Sequence, residues 1–539
     1  MVLGLLSLVA FALILVLGRD TTFYFDEWDF VLGRAGHSAD VFLKPHNEHI
    51  SVVPVLVYKV LFKNVGLAHH WPYLAALALM HVALGMCVFV LARRRVGPWA
   101  ALIVTALLLF MGLAWQNMVW AFQIGFVGSV LGGVVALVAL DTSRRRSDIL
   151  ACVALAFSIA CSTLGVPLAL GVGAELLALR RRSALWVPLV PLVLYGIWYL
   201  GYGVSTITRE GLIHAAGWAV SAAENAAGAP FGVGADWGVV LLLIAILAVG
   251  RRLAIGPPPT PRLLNLAVAG IAFWLLTGAA RSVFQPPVAP SQSRYLTLGA
   301  IVFLLGAVEL LRGTIIPPRL LVYATGIAVI CVWLGGSTLL DQAKALRVSS
   351  ESTTAALGAL QLSPGPVPPG YMPDPANPQI QAGPYRLAVR RYDSDPADSP
   401  QEIRAASSGA RAQADRVFMD LDVSVAPATP AVGNGAATPK LEAATGSIQT
   451  RRGCLVLQPR NGASIATLTV PQPGLLVRAP AGAAVEIRVF RYADGFGPSP
   501  LATVAPGAAS VLSVKPDMAP DPYQAQLSST GGLTVCTAA

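Results

Sequence analysis

The sequence predicts a polytopic α-helical membrane protein of about eleven transmembrane helices, followed by a β-rich domain outside the bilayer. Three observations carry this expectation. The chain is 55% hydrophobic and only 12% charged, with a mean hydropathy of +0.64, whereas soluble domains hold roughly 25% charged residues. Apolar runs recur from Val2 to Leu340, each able to cross a hydrocarbon core of about 30 Å, some only as short spans. After Leu340 the composition turns polar and Pro-rich, then alternates with the two-residue period of strands.

Charge sets the topology. The net charge of +10 would suit a nucleic-acid partner, but the arginines sit in short clusters between apolar runs: Arg93 to Arg95, Arg144 to Arg146, Arg180 to Arg182, Arg251-Arg252, then Arg312 and Arg319. Short arginine-rich loops stay cytoplasmic, so the excess marks the inner side and argues against nucleic acid. Spans then fall at 2–18, 72–92, 98–114, 121–140, 184–202, 236–250, 263–280, 294–311 and 319–340. The stretch 148–179 has inside markers at both ends and goes out and back as two short spans broken between Ser162 and Pro167. This path places the N-terminus in the cytoplasm and everything after Leu340 outside the membrane. The first segment lacks a basic leader and a small-residue cleavage site, which reads as an uncleaved anchor.

The chain divides into a transmembrane domain over 1–340 with a long outer loop at 19–71, a helical and Pro-rich linker at 341–384, and an extracytoplasmic β-sandwich-like domain at 385–539. An Ala/Pro/Thr/Gly-rich insert lies near 426–445. Strand-like runs are Cys454–Leu457, Ser464–Val470, Gly474–Val477, Ala484–Phe490, Ser510–Val514 and Leu533–Cys536, separated by turn residues. Cys87, Cys152, Cys161 and Cys331 fall in hydrophobic segments. Cys454 and Cys536 flank the strand-rich region, and an oxidising compartment lets them pair, closing a loop worth about 4 kcal/mol.

Polar groups gather in the outward-facing connections. Phe23 to Phe30 packs Asp26, Glu27 and Asp29 among five aromatics directly after the first span, a costly place for carboxylates unless they do chemistry or bind a cation. The same loop continues with His46-Asn47-Glu48-His49. The turn after residue 114 offers Trp115, Gln116, Trp120 and Gln123, and later connections offer Arg209, Glu210, His214, Glu224, Asn225, Arg281, Arg294 and Tyr295. Arg281 and Arg294 break the positive-inside trend. Snorkelling would explain them; so would an anion in the outer headgroup layer, for which a guanidinium fork suits a phosphate. Plainer readings stand beside the others: an aromatic interfacial belt around Asp26, a helix start at His46 to His49, and interfacial packing for Trp115 to Gln123. His46, His49 and Asp26 are zinc-ligand types, but histidines three apart are common without metal.

Tyr24-x-Asp26-Glu27 after the first span, the later His-Asn-Glu-His and the late Ser293-Arg294-Tyr295 together resemble the integral-membrane glycosyltransferases of the GT-C class. The resemblance covers roughly residues 1–340. It implies a polyprenyl-phosphate-linked sugar as donor and a cell-envelope glycan, lipid or protein as acceptor. It makes Asp26 the general base of an inverting transfer, with Glu27 and Asp29 orienting the acceptor or ligating a divalent cation. Arg281, Arg294 and Tyr295 would hold the donor phosphate. His46, Glu48, His49, Trp115, Gln116, Trp120 and Gln123 would contact substrate. The rival reading is a transporter or flippase of lipid-linked sugars, which usually shows internal repeats and charge pairs in mid-membrane. Neither is evident in the sequence. A structural factor anchored by its spans would need only one of them.

Overall fold

The computed structural model describes residues 1–255, 259–286, 288–429, 437–460, 462–493, 500–517 and 519–539. The chain forms two compact units. The first comprises Met1–Arg19, Asp29–Val65 and His70–Leu346; the second comprises Asp20–Trp28, Gly66–His69 and Arg347–Ala539.

The helices over residues 1–362 begin with α1 (Val2–Leu17), α2 (Asp26–Gly33), α3 (Ala39–Leu43), α4 (Val52–Asn64), α5 (Trp71–Val96) and α6 (Pro98–Leu109). They continue with α7 (Gln116–Val119), α8 (Ile124–Leu140), α9 (Arg145–Cys161), α10 (Gly165–Ala178) and α11 (Trp186–Tyr202). The last five are α12 (Arg209–Gly228), α13 (Ala235–Ile255), α14 (Pro261–Arg281), α15 (Ser293–Leu310) and α16 (Pro318–Leu362). Among the described residues, seven helices are long and apolar enough to cross a membrane: Trp71–Val96, Ala121–Leu140, Arg182–Tyr202, Ala235–Ile255, Pro261–Arg281, Ser293–Leu310 and Pro318–Leu362. Helices also form at 2–17, 98–109, 145–161 and 165–178, at the remaining segments the sequence marked. The chain is an integral membrane protein.

Two features depart from the sequence reading. The connection after α11 holds a 20-residue helix, α12, started by the Thr208 hydroxyl accepting from the Gly211 amide at 3.0 Å. The segment after residue 340 is not a separate helical piece: α16 runs 45 residues without a break, and no Pro interrupts residues 341–360.

Close helix contacts use small residues. A Cβ added at Gly132 of α8 would lie 2.7 Å from the Ala154 carbonyl of α9, and one at Gly211 of α12 would lie 2.1 Å from the Ala279 carbonyl of α14. Glycine here lets the backbones approach in a setting where packing drives helix association. At the arginine-bearing helix ends, Arg262 bridges to Glu175 at 2.8 Å, and Arg95 bonds Asp141 at 2.8 Å and also Glu309.

In the second unit, α17 (Ala382–Tyr392), α18 (Pro400–Ala405) and α19 (Ser408–Asp422) precede the sheets. Strands therefore begin at Val423, where the composition suggested a β-rich domain from residue 385. Eleven strands follow: β1 (Val423–Pro427), β2 (Leu441–Thr445), β3 (Ser447–Arg451), β4 (Cys454–Gln458), β5 (Ser464–Thr469), β6 (Leu475–Arg478), β7 (Val485–Phe490), β8 (Ala502–Val504), β9 (Ala509–Val514), β10 (Gln524–Ser529) and β11 (Leu533–Thr537). They make an antiparallel six-stranded sheet, β1-β9-β6-β11-β4-β3, and a five-stranded one, β2-β5-β10-β7-β8. All six sequence-marked runs are strands. Part of the insert near 426–445 is also strand, as β1 and β2; residues 430–436 lie outside the described ones. Cys454 and Cys536 face each other across β4 and β11 and form a disulfide.

Candidate functional site

The outer loop is shared between the units, and each part is built differently. In the second unit, the segment from Asp20 to Trp28 is tied down by backbone donors. The Thr22 amide donates to the Ser350 hydroxyl at 3.1 Å, and the Phe25 amide donates to Asn377 Oδ1 at 2.9 Å. Asn377 is itself fixed through its Nδ2, which donates to Asp374 at 2.8 Å. Trp28 packs edge-on against Tyr385, ring centroids 6.1 Å apart. Glu27 is buried, and its carboxylate accepts the Tyr24 amide at 3.0 Å, while its own amide donates back to the Tyr24 carbonyl at 3.1 Å. This reciprocal pair caps the helix that follows. Between them Phe25 adopts φ +47°, a left-handed conformation that is strained for an aromatic residue. Asp26 stands directly after that strained position.

In the first unit, His46-Asn47-Glu48-His49 is a tight turn and not a helix start. His46 and His49 exchange both backbone hydrogen bonds at 2.9 Å. Asn47 takes φ +51°, which asparagine tolerates better than most residues. The approach to the turn is held by Arg34, whose guanidinium donates to the carbonyls of Val41 (3.1 Å), Lys44 (2.7 Å) and Pro45 (2.9 Å). The sequence reading passed over Arg34, since a lone arginine among loop residues gives no signal of which carbonyls it will gather.

The turn delivers Glu48 and His49 to a cavity of about 160 Å³. Arg281, the last residue of α14, forms an ion pair there with Glu48 Oε1, and His49 Nε2 lies 3.5 Å from the same oxygen. Glu48 Oε2 is buried and, among the described residues, has no hydrogen-bond partner. His49 Nδ1 bonds the Thr163 hydroxyl, at the break the sequence placed between the two short spans. Thr277, Ser205 and Thr206 add hydroxyls; Phe126, Phe273, Leu164, Leu276, Tyr195, Tyr199 and Tyr295 supply aromatic and apolar wall. Tyr195 and Tyr199, one turn apart on α11, were readable as an aromatic pair on one helix face but were not singled out. All of these lie at the helix ends opposite the arginine clusters.

Other expected site residues fall elsewhere. His46 is buried between Phe30 and Phe122, centroids 5.4 and 4.9 Å away, with Asp29 4.0 Å from its Nδ1. Arg294 stacks over the Tyr295 ring at 5.3 Å, and it does not line the cavity. Gln116 accepts the Arg294 amide at 3.1 Å through its side-chain oxygen, and Asn117 bonds the Arg294 carbonyl at 3.0 Å. These two amides thus fix the start of α15. Trp115 and Gln116 line a separate cavity of about 420 Å³ with Asn225, Gln292 and Ser293. Trp120 is buried and stacked on Phe122 at 5.5 Å, and Gln123 is buried as well.

No protein-family profile matches the chain, and no curated protein matches it. Among solved structures, it is similar to the crystal structure of ArnT from Cupriavidus metallidurans bound to undecaprenyl phosphate, with a TM-score of 0.44 and 14% identity over 79% of this chain and 93% of that one. At that level the likeness assigns neither a family nor an activity to this chain.

Proposed function

We propose that the protein is a GT-C-like glycosyltransferase, moving a sugar from a polyprenyl-phosphate donor to an envelope glycan, lipid or protein at the outer face of the cytoplasmic membrane. The observation that carries this reading is the cavity where the Arg281 guanidinium meets Glu48 and His49 inside an aromatic and apolar wall. A guanidinium fork matches a phosphate bidentately. An incoming donor phosphate would draw Arg281 away from Glu48, and the apolar wall suits an isoprenoid chain. Arg281 then stabilises charge developing on the departing phosphate, while Arg294 acts through Tyr295, on which it stacks.

In the transfer, the acceptor oxygen attacks the anomeric carbon as its bond to the phosphate oxygen breaks, with inversion at that carbon. The acceptor proton passes to a carboxylate and polyprenyl phosphate leaves. Asp26 is the assigned base, and the strained Phe25 before it fits a segment held in place for function. A second reading makes Glu48 the base, because its Oε2 is a buried carboxylate oxygen with no described partner. Trp115 and Gln116 offer an aromatic face and an amide to an acceptor sugar.

The test uses full-length protein in proteoliposomes with a polyprenyl-phosphate-linked sugar. Arg281→Ala should lower transfer at least a hundredfold, chiefly through donor use. Asp26→Asn should abolish turnover while donor binding persists; if Glu48→Gln alone abolishes it, the base is Glu48. Full activity in all three variants would overturn the proposal.

A further inference from the structure

The arginine-bearing ends of the first unit's helices enclose another cavity, of about 670 Å³. Arg94, Arg95, Arg181, Arg262 and Arg312 line it, against the carboxylates of Asp141 and Glu175. Five guanidiniums less two carboxylates leave the wall three positive charges in excess.

The carboxylates are occupied by the deeper arginines. Asp141 accepts from Arg94 at 2.9 Å, Arg95 at 2.8 Å and Arg262 at 3.2 Å, and Glu175 from Arg262 at 2.8 Å. Behind the wall, Asp148 accepts from Arg181 at 2.8 Å, and Glu309 pairs with Arg95. Including those two acids, five guanidiniums still face four carboxylates among the described residues. Among the described residues, the ion pair of Arg312 is a distant one, 3.8 Å from Glu309, and its side chain is 56% exposed; that of Arg94 is 46% exposed. A guanidinium bonded along one edge still presents donors along the other. Guanidiniums gathered round one recess repel one another, and an anion among them relieves that repulsion. The recess has room for a phosphate headgroup.

We propose that this cavity binds a phosphate ester at the arginine-bearing side of the membrane, at the depth where anionic phospholipid headgroups lie. Basic recesses between transmembrane helices recognise such headgroups by guanidinium–phosphate pairing. The site is independent of the chemistry assigned to the opposite helix ends.

The test compares the melting temperature of full-length protein in nanodiscs of phosphatidylcholine alone, with phosphatidylglycerol added, and with inorganic phosphate added. Phosphatidylglycerol should raise it by several degrees. The double variant Arg94→Gln/Arg312→Gln should keep the melting temperature found in phosphatidylcholine and lose the rise, whereas Arg145→Gln, outside the cavity, should retain it. A rise with inorganic phosphate as large as that with lipid would assign the site to a soluble phosphate. No rise with either, or an equal rise in the double variant, would overturn the proposal.

Discussion

The half-buried carboxyl of Asp398 couples stability to pH. Burial pushes its pKa up to about 6, the Thr354 hydrogen bond opposes that, and the nearby charges of Glu402 and Glu351 add to it. A carboxyl raised above its unfolded value stabilises the fold when protonated. That contribution is complete below about pH 4 and is lost as pH rises through about 6. Melting of the full-length protein should therefore fall over this window from the Asp398 contribution, and Asp398→Asn should flatten that part of the profile. An unchanged slope in the variant would remove the assignment. Residue roles were partly legible in the sequence: Glu48, His49, Arg281 and Tyr295 were named there and meet at one cavity. Thr163 was read only as part of the break between two spans and Arg34 was passed over, since their roles come from a partner more than a hundred positions away in one case and from backbone carbonyls in the other.

Elements expose a different limit. Apolar length alone marked the long helices, and α12 was missed because its Arg209, Glu210, His214, Glu224 and Asn225 made it look like a connection. It packs on α14 through Gly211 and Ala215, which meet Ala279 and Gly278 just before Arg281. Gly211→Val should therefore push the two helices apart, at about 1–3 kcal/mol. The expected result is a lower melting temperature and a larger loss of donor use than of expression; a variant with wild-type melting and turnover would show that α12 does not brace Arg281. Strand β10, Gln524–Ser529, was missed for a similar reason. Its burial alternates, yet its sequence QAQLSS is polar on the other face and lacks β-branched residues.

For the whole molecule, the charged groups of the first unit's helices are unevenly placed. The described ion pairs of α5, α10, α14 and α15 concentrate at the arginine-bearing ends, apart from the Arg281 pair at the other. This suits an enzyme working at one membrane face better than a carrier, which places its charge pairs at mid-depth. In the second unit, the Cys454–Cys536 bond joins positions 82 apart. Replacing both by Ser should destabilise the sandwich by about 4 kcal/mol, read as earlier melting of the strands by hydrogen exchange. Unchanged protection would deny the bond a stabilising role.

By itself the sequence determined the membrane character, the apolar helix segments, six of the strands and the cysteine pair, because hydropathy, period and composition act locally along the chain. Only the tertiary structure decided that His46 packs between aromatics while Glu48, two residues on, reaches Arg281, and that Gln116 holds the start of α15. Those outcomes depend on backbone turns and on groups distant in sequence, whose meeting no local pattern encodes.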